Sequence, residues 1–103
     1  MGMKYYQTSY AIENPLRVNV TSTASVLSSQ IADDIETVRV VGNVDFWLTK
    51  GSSTITAGSS VGSGCSFHPA GVVEYINTQK KRFFAVEANS SSGFVCIAEV
   101  TQG

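Results

Sequence analysis

The sequence predicts an all-β, single-domain β-sandwich of about eight short antiparallel strands, preceded by an extended N-terminal arm. Short apolar segments recur at intervals of roughly 8–12 residues, with turn-forming residues between them. No segment has helical periodicity long enough for a stable helix. A chain of 103 residues has the length of one domain. We expect the arm to span residues 1–15 and the sandwich to span residues 16–103.

The N-terminal arm is aromatic and β-prone, and Asn14-Pro15 then imposes an extended or turn conformation on the backbone. Such a segment either pairs as an edge strand or reaches onto a neighbouring molecule. In the second case its anchors would be Tyr5, Tyr6 and Tyr10.

Alternating apolar and polar residues begin at Leu16, Val18 and Val20, which is the pattern of a half-buried strand. Gly, Pro, Asn and Ser punctuate the rest of the chain and separate further short apolar segments. Residues 28–34 could form one helical turn, which is too short for a stable helix. Spacing alone does not distinguish local hairpins from crossed Greek-key connections. Strands are predicted at residues 16–20, 23–28, 35–42, 44–49, 53–57 (weak), 65–68, 72–76, 83–88 and 94–100.

Trp47 is the one tryptophan of the chain, and it lies in a predicted strand with strict alternation. If Phe46 and Leu48 face the core, Trp47 must face outward. An outward tryptophan is typical of an interface anchor. The alternative is that a loop or the N-terminal arm covers the ring.

The composition favours a chain that packs against neighbours. Charged residues make up 15% of the sequence and hydrophobic residues 43%, whereas roughly 25% charged is typical. Charged side chains are depleted in interface cores, although a Ser/Thr-coated β protein would also fit. The net charge of −1 argues against nucleic-acid binding. The basic run at residues 80–82 is predicted to be a solvated hairpin tip.

The sequence has no apolar run long enough for a membrane span and no apolar segment typical of a signal peptide near its start. It contains two cysteines, Cys65 and Cys96, too few for a disulfide framework. We expect two buried thiols made in a reducing compartment, with a disulfide between them as the alternative.

No combination of residues in the sequence indicates catalysis or metal binding. His68, the single histidine, precedes Pro69 at a turn and is predicted to lie at the surface. Ser63 lies between glycines without the strand–turn–helix context of a nucleophile elbow. The acidic residues 33, 34 and 36 lack the pattern of a calcium loop. We therefore predict no enzyme, no cofactor and no metal site.

Residues 38–100 resemble small virion proteins of tailed bacteriophages, namely the jelly-roll-like capsid decoration, or cement, proteins. The similarity rests on the segment Phe67-His-Pro-Ala-Gly-Val-Val-Glu-Tyr75, the strand Phe83-Phe-Ala-Val86, and Ser92-Gly93 before the last strand. The resemblance implies a jelly-roll-like sandwich with a non-enzymatic role. It also implies binding to the outside of the phage head, where the protein bridges major capsid subunits.

The resemblance further implies a homotrimer, alternatively a dimer, that is made in the host bacterial cytoplasm and contacts the major capsid protein but neither nucleic acid nor membrane. Two other functions stay open. One is a phage tail, head–tail connector or fibre-associated module. The other is a carbohydrate-binding sandwich in which Trp47 and Tyr75 supply the aromatic platform. The candidate interface residues are Tyr5, Tyr6, Tyr10, Trp47, Tyr75 and Arg82.

Overall fold

The computed structural model describes residues 10–58 and 64–102, and all regular structure within these residues is β-strand. The prediction of an all-β sandwich is confirmed. None of the described residues forms a helix that could span a membrane. The strands are β1 (Tyr10–Val20), β2 (Val26–Leu27), β3 (Thr37–Gly42), β4 (Phe46–Gly51), β5 (Ser66–His68), β6 (Glu74–Asn77), β7 (Phe83–Ala88) and β8 (Gly93–Gln102).

The strands form two four-stranded antiparallel sheets, with the orders β1-β8-β3-β6 and β2-β7-β4-β5. The first strand pairs with the last, the second with the seventh, the third with the sixth and the fourth with the fifth. A long antiparallel ribbon rolled into two layers has this pattern, which is the jelly-roll arrangement. Crossed connections therefore dominate over local hairpins, a choice that strand spacing left open.

Apolar side chains from both sheets fill the space between the layers. In β3 every second residue is buried, as the alternation in the sequence predicts, and in β4 Phe46 and Leu48 follow the same pattern up to Lys50. Phe46 and Phe84 are the largest buried side chains and are almost fully inaccessible to solvent. The strand residues of this core are Val18, Val20, Val38, Val40, Phe46, Leu48, Phe84, Val86, Ala88, Val95 and Ile97.

The edge strand β1 contains an irregularity at its proline. The pairing of β1 with β8 shifts register between Glu13 and Leu16, on either side of Pro15. Proline has no N–H to donate to the ladder, so it is tolerated at a bulge in an edge strand. The predicted boundary at residue 15 falls inside this strand, because Tyr10 already lies opposite Gln102.

Other sequence predictions need correction. The weak strand at residues 53–57 is absent, because Ser52 to Thr54 form a bend in which the Ser52 and Thr54 hydroxyls lie 3.0 Å apart. Side-chain bonding of this kind competes with a strand ladder. Residues 28–34 contain a turn and no helix, in agreement with the prediction that this stretch is too short for a stable helix. The strand predicted from residue 72 begins at Glu74.

Candidate functional site

The strands β5 and β6 lie at the same lateral edge of the sandwich, each as the outer strand of its sheet. Residues 69–73 cross between them. Gly71 has φ of +77°, a conformation that favours glycine. Its N–H donates to the Gly42 carbonyl at 2.9 Å, and the Ala70 N–H donates to Oδ1 of Asp45 at 2.7 Å. These bonds attach the crossing segment to the chain between β3 and β4.

His68 is buried, with only 7% of its surface exposed, so the prediction of a surface histidine was wrong. It lies opposite Phe46 across the β4–β5 ladder. Residues opposite each other in an antiparallel pair project to the same face, and the face of Phe46 is the core. The two rings stack with centroids 5.1 Å apart and an angle of 15° between their planes. The pairing of β5 with β4 therefore places the imidazole of His68 in the core.

Both nitrogens of the His68 ring have side-chain partners. Oγ of Ser66 lies 2.6 Å from Nε2, and Oε1 of Glu74 contacts Nδ1. A carboxylate only accepts hydrogen bonds, so Nδ1 carries the ring proton and donates a hydrogen bond to Glu74. In the neutral ring Nε2 is then an acceptor, and the Ser66 hydroxyl donates to it at 2.6 Å in preference to the Leu48 carbonyl, which lies 3.4 Å away. The result is a chain of hydrogen bonds from serine through imidazole to carboxylate.

Sequence reasoning missed this combination. Ser66 and His68 are two residues apart in β5 and therefore project to one face of the strand, which is a local signal. Glu74 comes from a strand of the other sheet and is placed beside the imidazole by the crossing segment. A two-residue spacing between serine and histidine is common in strands and indicates nothing specific without the third residue, which only the fold brings into contact.

A cavity of about 330 Å³ lies beside Ser66 and His68, between the two sheets. Leu48 and Phe84 line it from one sheet and Ile76 from the other, so its wall is partly apolar. Polar groups complete the lining: Lys50, Gln79, Lys81 and the Ser66–His68 pair. Nζ of Lys50 donates to the Asn77 carbonyl at 2.5 Å, which joins β4 to the end of β6.

Trp47 lies on the outer face of its sheet, as predicted, and is half-buried. The ring of Phe67 meets it edge-on, with centroids 5.1 Å apart. The indole Nε1 donates to Oδ1 of Asn89 at 3.0 Å. Its partners therefore belong to β5 and to the turn after β7, and part of the ring still faces solvent.

Most of the exposed large apolar side chains lie along the same lateral edge. The described residues include six exposed large apolar side chains in all, and four of them lie between residues 67 and 75. We call these four the apolar band; it comprises Phe67 (43% exposed), Val72 (44%), Val73 (41%) and Tyr75 (59%). The first belongs to β5, the last to β6, and the two valines to the crossing segment, so the band wraps around the edge.

Tyr75 projects away from the core on the sheet opposite to that of Trp47. It lies opposite Arg39 in the β3–β6 ladder. The residues before and after Arg39, Val38 and Val40, are buried, so Arg39 and Tyr75 face outward. Trp47 and Tyr75 are thus on the two opposite outer faces of the sandwich. They therefore do not form one common aromatic platform.

The other predicted interface residues have varied positions. Arg82 is half-buried, donates from Nε to the Ile31 carbonyl at 2.6 Å and pairs with Asp33, so it is not part of a solvated hairpin tip. The segment that contains it connects β6 and β7, which belong to different sheets. Tyr10 begins β1, whereas Tyr5 and Tyr6 lie outside the described residues.

Cys65 and Cys96 are free thiols, which excludes the disulfide alternative in this structure. Both are half-buried rather than fully buried. Cys96 lies in β8 opposite Arg17 and Val41, which face outward on their strands. Within residues 10–58 and 64–102, no three His, Cys, Asp or Glu side chains are grouped so that they could hold a metal ion.

Comparisons with known proteins add no relative to this description: no protein-family model, no curated protein and no solved structure matches the chain.

Proposed function

We propose that this chain is a structural component of a tailed-phage virion, a decoration protein that binds the outside of the head and bridges neighbouring major capsid subunits. The apolar band carries the proposal. An exposed set of large apolar side chains at one edge of a domain is typical of a surface that another protein covers. The free energy gained by covering it scales with apolar area, at about 25 cal/mol per Å².

The outer strands of the two sheets also indicate this surface as a binding site for another protein. Both β5 and β6 are outer strands, and each has one side without a partner strand among the described residues. Free backbone N–H and C=O groups on such edges can pair with a strand of another chain. Phe67 and Tyr75 flank these two edges from opposite outer faces. A partner could therefore combine backbone pairing with apolar contacts.

A rigid sandwich suits a bridging role because little ordering is needed on binding. The core holds the band on strands, and the crossing segment that contains Val72 and Val73 is fastened to the β3–β4 connection. Many copies on a symmetric particle turn weak single contacts into strong attachment. We expect the chain to act as a homotrimer, alternatively a dimer, on the outer capsid surface after synthesis in the host bacterial cytoplasm.

The proposal is tested by adding purified protein to heads of the encoding phage that lack it and measuring cosedimentation. Val73→Asp places a charge in the apolar band and should abolish binding. Leu27→Asp is the matched control, because Leu27 is 38% exposed on β2, at the opposite lateral edge and outside the N-terminal arm. This variant should bind like the unaltered protein. Equal binding by both variants would refute the role of the band.

Electron microscopy of the intact particle locates the protein independently. Density on the outside of the head, at contacts between capsid subunits, is the expected result. Density at the tail, the connector or a fibre would instead support the tail-associated alternative. Light scattering of the purified chain should show an oligomer, and a strict monomer with no affinity for heads would rule out the decoration role.

A further inference from the structure

We propose that Ser66, His68 and Glu74 form a reactive serine site that transfers acyl groups from small carboxylic esters. This activity is additional to the assembly role and rests on different residues. The inference depends on three geometric features: the contact between hydroxyl and imidazole, the contact between imidazole and carboxylate, and the cavity beside the serine.

The contacts meet the requirements of nucleophilic catalysis. A serine hydroxyl is a weak nucleophile and needs a base within about 2.6–3.2 Å to take its proton. Nε2 of His68 is 2.6 Å from Oγ of Ser66. The base must also present the correct nitrogen, and the bond from Nδ1 to Oε1 of Glu74 leaves Nε2 unprotonated. Glu74 thus acts as a positioning residue, since it affects Ser66 only through the histidine.

Burial is distributed as such a site requires. Ser66 is an exposed residue that lines the cavity, through which an ester would approach Oγ. His68 is 7% exposed and stacks on Phe46, so its ring orientation is fixed by packing. A base held in position before the substrate arrives needs no reorganisation during the reaction.

The cavity indicates the class of substrate. Its volume of about 330 Å³ lies at the small end of the range for ligand sites. Leu48, Ile76 and Phe84 offer apolar contacts that suit a short aliphatic acyl chain. Lys50 and Lys81 also line the space and would favour an ester that carries a negative charge. We assign short-chain carboxylic esters as substrates.

The reaction has two steps, acylation of Ser66 and hydrolysis of the acyl ester. Oγ of Ser66 forms a bond to the ester carbonyl carbon while Nε2 of His68 takes the hydroxyl proton. The bond to the alcohol oxygen then breaks, and the imidazolium returns the proton to the departing alcohol. Water, activated by the same nitrogen, hydrolyses the acyl–Ser66 ester and restores the hydroxyl. Glu74 remains a carboxylate and stabilises the imidazolium in both steps.

Labelling of the full chain with a fluorophosphonate reagent tests the nucleophile. The serine oxygen displaces fluoride from phosphorus, and mass spectrometry of the peptides locates the adduct. We expect the adduct on Ser66 and not on Ser29 or Ser91, which are also exposed. Ser66→Ala should abolish the adduct, and Ser29→Ala should leave it unchanged. Absence of labelling at Ser66, or equal labelling of all three serines, would overturn the proposal.

Hydrolysis of p-nitrophenyl butyrate tests the base and the positioning residue. General-base assistance contributes about 10²–10⁴-fold, so His68→Ala should lower the rate by about 100-fold or more. Added imidazole should restore part of the rate in this variant by occupying the vacated space, which a purely structural histidine would not allow. If His68→Ala does not fold, Glu74→Gln serves instead, because the amide still accepts from Nδ1 but lacks the charge.

Glu74→Gln should lower kcat at least tenfold with little change in KM. Full activity in Ser66→Ala, or an unchanged kcat in Glu74→Gln, would show that the three residues form only a structural network. Binding of Ser66→Ala to phage heads is measured in parallel. Since Ser66 lies outside the apolar band, loss of turnover with retained binding separates this inference from the proposed assembly role.

Discussion

The indole Nε1 of Trp47 donates a hydrogen bond to Oδ1 of Asn89, with the two atoms 3.0 Å apart. The bond links the start of β4 to the turn that follows β7. The Asn89 backbone N–H also donates to the Asp45 carbonyl at 2.9 Å, so the asparagine is held from two sides. The only tryptophan of the chain is thereby fixed on the outer face of its sheet.

Trp47→Phe should lower the free energy of unfolding by about 1 kcal/mol, because it removes this bond while a ring remains against Phe67. Asn89→Ala should cost a similar amount. The double variant should cost less than the sum of the two single variants, since both remove the same bond. Urea denaturation followed by circular dichroism gives the three values. Strict additivity would show that the bond contributes nothing to stability.

Phe46→Ala should cost about 3–5 kcal/mol, a large share of the 5–15 kcal/mol typical of a domain. The ring is 1% exposed and stacks against His68, so its removal leaves a cavity in the core. Phe67→Ala is the matched control, because that ring is 43% exposed. The control should cost under about 1.5 kcal/mol. Comparable losses in thermal and urea unfolding would contradict the assignment of the core.

Thr78→Val should lower the free energy of unfolding by about 1–3 kcal/mol. The Thr78 side chain is 1% exposed, and its hydroxyl donates to the Ile35 carbonyl at 2.8 Å. Valine has nearly the same shape, so the loss reports the bond and the carbonyl left without it. Thr23→Val is the control at an exposed threonine and should change stability by less than about 0.5 kcal/mol. A neutral Thr78→Val would mean that the carbonyl finds another donor.

Gly93→Ala should destabilise the start of β8 by about 1–3 kcal/mol. A Cβ at this position would lie 2.6 Å from Cγ1 of Val44 and would also collide with Oδ1 of Asn43. That oxygen accepts from the Phe94 N–H at 2.8 Å, so the side chain cannot move away without breaking a bond. Ser92→Ala, one residue earlier and exposed, should be nearly neutral when both are compared by thermal unfolding.

Removal of residues 1–14 should leave a folded but less stable domain. Tyr10 to Glu13 pair with Glu99 to Gln102, so this part of the ladder is lost, whereas Leu16 to Val20 keep their pairing with β8. We expect a lower unfolding temperature with a retained β-type circular-dichroism spectrum. A chain that fails to fold would show that the first residues of β1 are indispensable to the sheet.

The positions of strands could be predicted from the sequence where apolar and polar residues alternate over a few neighbouring positions. Alternation in β3 and β4 identified which residues face the core, since the side-chain period of a strand is a property of the backbone. The strand prediction failed where side-chain hydrogen bonds favour a turn although the residues alternate. Residues 53–57 alternate weakly, but the Ser52 and Thr54 hydroxyls favour a bend there.

The fold class, the approximate strands and the outward direction of Trp47 could be read from the sequence, because these depend on neighbours a few residues apart. The strand order, the burial of His68 and its contacts with Ser66 and Glu74 are evident only from the folded structure. Strand order depends on which pairings bury both inner faces at once, and such pairings join residues distant in the chain. The same long-range packing places β5 and β6 at one edge, where it forms the apolar band and the contacts among Ser66, His68 and Glu74.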